Sequence, residues 1–255
     1  MNRLHVPFTR STMTLLEENP QVALATADFQ SDGRGQSGNS WQSRPAENLL
    51  LSMRVKLQGL GVDRRFRLMQ YVALALRQTL ADFDLSAEIK WPNDIYLGGR
   101  KVCGFIIENK IAGGRIDESL VGIGLNVNQT EWPESLPFAV SMRQAAGRSF
   151  EREAVLCALL RHIALQPELA EADDEQLHAD YMKSLYRRTG IHAYRDAGGR
   201  FEAGIRDVAP DGRLLLARND GEVRAYGLKE VAFAEVTGRE SHISAPCGPQ
   251  FAENP

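Results

Sequence analysis

Apolar residues alternate with polar ones near the start of the chain. The run 22–29 reads as a short strand, and strand character resumes at 48–55 after a glycine-rich loop at 30–41. From 63 to 83 the period lengthens: Phe66, Met69, Ala73, Leu76 and Leu80 recur at three- and four-residue steps, which predicts an amphipathic helix with Asp63 as its N-cap. Such a helix covers one face of a sheet. Strands are expected at 88–91, 95–97, 101–108 and 120–127, and Gly98-Gly99 joins the second and third as a hairpin, so the sheet is at least partly antiparallel. Helices follow at 151–165 and 175–187, separated by Pro167 and an acidic connector.

After Thr189 the texture changes to short alternating runs broken at Asp211-Gly212 and Asp220-Gly221, two closely spaced hairpin signals. The fold expected is therefore α/β (α+β), a mixed sheet with covering helices over 1–188. A small β-rich module occupies 189–237, and a disordered tail rich in Ser, Pro and Gly covers 238–255.

Composition narrows the class. With 255 residues, 43% of them hydrophobic and 25% charged, the chain can bury one good core and carry a small second domain. A net charge of -3 supplies no general basic field, so non-specific nucleic-acid binding is not indicated. Cys103, Cys157 and Cys247 are far apart without a CxxC spacing, and His5, His162, His178, His192 and His242 stand singly. The pattern predicts a reduced chain with no metal site among its own residues. No apolar run is long enough to span a bilayer and no charged-then-apolar leader is visible, so the expectation is a cytoplasmic protein without membrane partners.

Chemistry concentrates in 90–104, KWPNDIYLGGRKVCG, where a cation, an apolar corner, a carboxylate, a tight turn and a second cation follow one another. Lys90, Asp94 and Lys101 suit a site that manages charge on an anionic substrate. The loop QSDGRGQSGNSW at 30–41 satisfies GxGxxG through Gly33, Gly35 and Gly38. A dinucleotide fingerprint must open a helix, however, and here Pro45 and another strand follow. Two readings remain: a flexible loop, or one whose backbone and Arg34 close over an anion, the planar guanidinium donating two parallel hydrogen bonds.

Together with GIGLNVN at 122–128, these segments resemble the biotin protein ligase family in order and separation over 11–128, with a weaker fit in the C-terminal module. The resemblance implies a class II synthetase-like core followed by a small SH3-like β-barrel. It also implies a reaction in two steps. Biotin and MgATP give biotinyl-5'-adenylate and pyrophosphate, and the acyl group then passes to a lysine of a biotin carboxyl carrier protein. Biotin, ATP and Mg²⁺ are thus the expected ligands, and association of two chains into a homodimer is left open.

Carried over residue by residue, the resemblance makes Lys101, Asp94 and Arg34 the catalytic candidates. Ser11, Thr12 and Gln30 match ring-recognising positions, although Ser11 and Thr12 taken alone read as a helix cap. Gly33, Arg34, Gly35, Trp41, Lys101 and Gly104 complete the biotin set. Gly104 either admits a ligand close to the backbone or packs against a neighbouring element. Arg34, Lys90, Asn93, Asp94, Lys101 and Asn126 form the ATP and adenylate set. Lys90 either binds phosphate or pairs with Asp94. Asp94 either orients the carrier ammonium and accepts its proton or pairs with Lys90 and Arg34. A proton acceptor is useful because only about one lysine in a thousand is neutral at pH 7 given a reference pKa of ~10.4. Trp91 and Trp132 read as wall or core residues.

The chain departs from the family at Met13, where Asn is common, at Asp32 before Gly33, and at Gln36 and Ser37, where a basic run is frequent. Repressor members carry a winged-helix module ahead of the ligase core. About twenty residues precede the first expected strand here, so the expectation is a ligase with no DNA partner. The nearest alternative is a lipoate or octanoyl transferase, whose RRxSGGG-type segment is absent. A non-catalytic sensor of biotin or its adenylate is the alternative from another class.

Overall fold

The structure, a computed structural model, describes residues 2–164 and 174–234. Chain order begins β1 (Arg3–Thr9), α1 (Thr12–Glu18), β2 (Leu24–Gln30), a short hairpin β3 (Gly33–Arg34) and β4 (Ser40–Trp41), then β5 (Leu49–Gly61) and α2 (Phe66–Ala81). It continues with β6 (Ala87–Lys90), β7 (Asp94–Leu97), β8 (Arg100–Ala112), β9 (Arg115–Leu125), α3 (Met142–Ala146), α4 (Arg152–Ala164) and α5 (Asp174–Lys183). The last part holds β10 (His192–Asp196), β11 (Gly199–Val208), β12 (Leu214–Arg218), β13 (Val223–Tyr226) and β14 (Ala232–Phe233).

Seven strands form one sheet in the order β1-β2-β5-β9-β8-β7-β6, with β1 parallel to β2 and the other neighbours antiparallel. Five later strands form an antiparallel sheet in the order β13-β12-β11-β10-β14. This is the mixed α/β fold with a β-rich end that the periodicity predicts. The turns between β11 and β12 and between β12 and β13 hold Gly212 at φ 93 and Gly221 at φ 87, the left-handed region glycine tolerates.

Alternate residues of a strand face opposite sides, and here the two sides differ in kind. Leu51 and Met53 of β5, Phe105 of β8 and Val121, Ile123 and Leu125 of β9 enter the main core with Val72 and Leu76 of α2 and Leu159 of α4. Each large aliphatic side chain so buried contributes roughly 1.5–3 kcal/mol over leaving it exposed. On the other side Met13 and Leu16 of α1 pack with Val22, Ala25 and Leu120 as a smaller cluster, and the rest of that face is left open.

Several boundaries differ from the expectation. The first strand is β1 at Arg3–Thr9 rather than one beginning about twenty residues in; Arg3, His5 and Pro7 break any apolar run at this sheet edge. Asp63 does not cap α2: it lies in a 3-10 turn over Val62–Arg64, and Arg65 is the N-cap. The loop after β2 is partly ordered, since Gly33 and Arg34 pair with Trp41 and Ser40. β5, β8 and β9 run past the predicted strands, and β8 and β9 meet at Gly113-Gly114. The connector at Pro167 and the tail at 238–255 lie outside the described residues.

The module and the main sheet meet at the KWPND corner. Trp91 is buried and its Nε1 donates to the Gly212 carbonyl at 2.9 Å, so the β11–β12 turn supports the strand connection that carries Asn93 and Asp94.

Candidate functional site

A cleft opens on the face of the main sheet that carries α1, lined by Ser11, Thr12, Gln30, Arg34, Gly35, Trp41, Asn93, Lys101 and Gly104 from the expected set. Its floor exists because three facing positions have no side chain: Gly104 on β8 pairs with Gly124 on β9, and Gly122 stands two residues before. A Cβ on Gly124 would overlap the Trp41 indole, and one on Gly104 would lie 3.0 Å from Lys101 Nζ and 3.2 Å from Trp41 Cζ3. Of the two readings of Gly104, the structure shows packing against neighbouring side chains, and those neighbours are themselves site residues. Gly33 is fixed by the loop hairpin, where a Cβ would sit 2.6 Å from the Trp41 carbonyl oxygen.

The polar end is built at the start of α1. Ser11 is the N-cap, extended at φ -154, and its side chain accepts from the Met13 N–H at 3.2 Å. The helix-cap reading and the site reading of Ser11 therefore both hold in position, since the capping residue also lines the cleft. Gln30 Oε1 accepts the Thr12 N–H at 2.6 Å and meets Thr12 Oγ1 at 3.0 Å, while Thr12 Oγ1 lies 2.8 Å from Ser52 Oγ. Ser52 is wholly buried on β5. Sequence reasoning missed it; a lone hydroxyl inside the run LLLSM was the signal available.

At the charged end Lys101 Nζ lies 2.7 Å from Asp94 Oδ1 and 5.6 Å from the Trp41 ring centroid. A register shift at Ile95/Tyr96 brings Lys101 opposite Tyr96 and next to Asp94 across the hairpin. Main-chain bonds fix it, with Lys101 N–H donating to Phe138 O at 2.7 Å and Lys101 O accepting from Val140 N–H at 3.0 Å. Burial, aided by the Asp94 charge, pushes the Tyr96 phenol well above its ordinary range, and burial does the same to the Cys103 thiol. Both stay neutral, and Cys103 is no nucleophile here.

The pairing of Lys90 with Asp94 is not found. The two are backbone partners across β6 and β7, but the Asp94 carboxylate meets Lys101, and the Lys90 ammonium lies 5.1 Å from the Tyr96 centroid and 5.4 Å from that of Phe233. Nor does Asp94 meet Arg34. That guanidinium grips Glu17 of α1 at 3.1 and 3.2 Å, Thr14 Oγ1 at 2.8 Å and Glu108 at 3.4 Å. The hydrogen bond to Glu17, against a smaller effect of burial, holds the Arg34 pKa above its usual value. Its charge is already matched by carboxylates, and it fastens the glycine loop to α1.

Asn93 lines the cleft while its Nδ2 donates to Phe105 O at 2.6 Å. Asn126 donates through Nδ2 to Val140 O at 3.1 Å, and its buried Oδ1 has no hydrogen-bond partner among the described residues. Trp132 Nε1 donates to Gln144 Oε1 at 2.9 Å on the surface, and neither it nor Trp91 lines the cleft. Among the described residues no group of three or more His, Cys, Asp and Glu is placed to hold a metal ion, and no helix is long and apolar enough to cross a membrane.

Known proteins resemble this chain in sequence and in fold. The sequence profile of the Biotin/lipoate A/B protein ligase family matches residues 5–126. The bifunctional ligase/repressor BirA of Bacillus subtilis is 29% identical over 230 residues, covering 86% of this chain and 69% of that protein. The biotin--[acetyl-CoA-carboxylase] ligase of Mycobacterium tuberculosis is 27% identical over 197 residues, 74% of this chain and 71% of the relative. In fold, the chain resembles the Aquifex aeolicus biotin protein ligase solved with biotin and ATP, at a TM-score of 0.75 and 23% identity over 91% of this chain and 97% of that one.

Proposed function

This chain belongs to the biotin/lipoate A/B protein ligase family, and on that premise we propose that it joins biotin to ATP as biotinyl-5'-adenylate and passes the biotinyl group to a lysine of a biotin carboxyl carrier protein. The observation that carries this reading is the Lys101–Asp94 pair at 2.7 Å beside a Trp41-walled cleft whose far end is polar.

In the first step a biotin carboxylate oxygen attacks the α-phosphorus of ATP and the bond to pyrophosphate breaks. Like charges approach, so a cation at the point of attack lowers the barrier. Lys101 supplies it, anchored through its main chain and held in place by Asp94. Lys90, over two rings rather than on a carboxylate, is the second cation offered to the phosphates. Arg34 contributes mainly by holding the loop over the cleft. Mg²⁺ enters as part of the MgATP substrate.

In the second step the carrier amine attacks the acyl carbonyl carbon, a C–N bond forms, and AMP leaves. The amine must first lose a proton. Asp94, with its side chain 19% exposed, can both orient the incoming ammonium and accept that proton. Asn93 and Asn126 shape the adenylate end by bracing the β7–β8 region and the 126–140 segment.

Biotin is favoured over lipoate by the polar end. Ser11 and Thr12 are buried hydroxyls that line the cleft with Gln30, and a cyclic urea offers this end hydrogen-bond partners that a dithiolane ring lacks. The test is intact-mass analysis of a carrier domain incubated with the enzyme, MgATP and either acid. One biotin-sized addition, absent with lipoate, supports the proposal. Addition of lipoate would move the chain to the sister activity, and tight biotin binding with no pyrophosphate release would make it a sensor.

A further inference from the structure

We infer that Ser52 is a positioning residue for ring recognition: its buried hydroxyl heads a one-way hydrogen-bond relay that leaves the Gln30 amide nitrogen facing the cleft as a donor. The inference rests on the biotin reading above and assigns the polarity of its ring subsite.

The direction of each bond follows from elementary donor and acceptor rules. A backbone N–H can only donate, so the Gln30 atom that meets Thr12 N at 2.6 Å is the carbonyl oxygen. That oxygen carries no hydrogen. Thr12 Oγ1, 3.0 Å away, must therefore donate to it, which spends the only hydroxyl proton of Thr12. Across the 2.8 Å contact Thr12 can then only accept, so Ser52 donates. Thr12 is 3% exposed and Ser52 0%, so water does not compete for these bonds. Ser52 reaches no ligand itself; it satisfies the Thr12 oxygen and keeps its proton on Gln30.

The consequence lies at the other end of the amide. With Oε1 taken twice, the part of the cleft-lining Gln30 amide left for a ligand is Nε2, which lies 3.1 Å from where a Cβ on Gly33 would stand. Ser11 adds to the same polarity: its oxygen accepts from Met13 N–H, which leaves its proton to donate. Both groups line the cleft. This end thus selects a ring that presents an acceptor, such as the carbonyl oxygen of a cyclic urea. A ring of the same shape that presents a protonated nitrogen, a cyclic guanidinium, is rejected.

The test measures binding of biotin and of 2-iminobiotin, its cyclic guanidine counterpart, to the full chain without ATP, together with steady-state adenylation. The parent should prefer biotin strongly. Ser52→Ala should weaken biotin binding about tenfold and raise the KM for biotin, with kcat at saturating biotin and the KM for MgATP within about twofold of the parent. Ser52→Cys, similar in size with a weak S–H donor, should fall between. Gln30→Glu keeps an acceptor on Thr12 but turns a second acceptor to the cleft, and should narrow or invert the preference for biotin over 2-iminobiotin. Unchanged biotin affinity in Ser52→Ala and Ser52→Cys, a fall in melting temperature with no change in KM, or an unaltered ligand ratio in Gln30→Glu would overturn the inference. Should Ser52→Ala not fold, Ser52→Cys and Gln30→Glu still decide it. A parent that binds neither ring would instead overturn the biotin reading itself.

Discussion

Neighbouring residues on β9 belong to two different regions of the molecule. Ile123 and Leu125 point into the main core against the helices, whereas Gly122 and Gly124 point to the cleft and contribute only empty space. β8 repeats the division with Phe105 and Gly104. The core face is stabilised by volume and the cleft face works by its absence. A strand with period two can meet both demands at once, so stability and function should separate at adjacent positions.

The largest effect expected on the cleft side comes from Lys101→Ala. Adenylate formation should fall by about 10²–10³, with the melting temperature little changed, because the side chain faces the cleft and its anchoring bonds are main-chain. Asp94→Asn keeps the shape and removes the carboxylate. Single-turnover transfer to a carrier domain should slow by about 10²-fold, more than adenylation does, if Asp94 takes the proton.

The comparison itself is tested by paired substitutions on β9. Ile123→Ala should cost about 2–5 kcal/mol by denaturant unfolding and leave the KM for biotin of the folded enzyme unchanged. Gly124→Ala should do the reverse in emphasis. Its methyl group would displace Trp41, raising the KM for biotin about tenfold or more, at a stability cost of about 1–3 kcal/mol. Equal changes in KM from both would break the division between the faces. The smallest effect belongs to Glu17→Gln. The Arg34–Glu17 pair is 37% and 38% exposed, so solvent screening limits the loss to about 0–1 kcal/mol, yet the glycine loop should become easier to cleave by protease.

Much of this was legible in the sequence, and the parts that were not share a cause. The Gly98-Gly99 hairpin, the Asp211-Gly212 and Asp220-Gly221 turns and the stripe of α2 are local patterns, and all are found. Lys101 and Asp94 stand out in the sequence because 90–104 gathers charge suited to an anionic substrate and because both match family positions. Their mutual pairing was not foreseen, since it depends on a register shift that no pattern announces. Glu17 as the partner of Arg34, and Ser52 as the neighbour of Thr12, bring together residues 17 and 40 positions apart in the chain. One sequence carries no sign of such contacts beyond a lone serine in an apolar strand. The glycines of GIGLNVN were read as part of a motif, while their use as the floor under Trp41 required the sheet.

Lys101 is tested as the adenylation cation by pyrophosphate release from MgATP by the parent and by Lys101→Ala, with and without biotin, alongside thermal melting of both. The parent should release pyrophosphate only when biotin is present, and a Lys101→Ala variant that melts as the parent does should be nearly silent. Release that ignores biotin, or a well-folded Lys101→Ala that keeps its rate, would contradict that role.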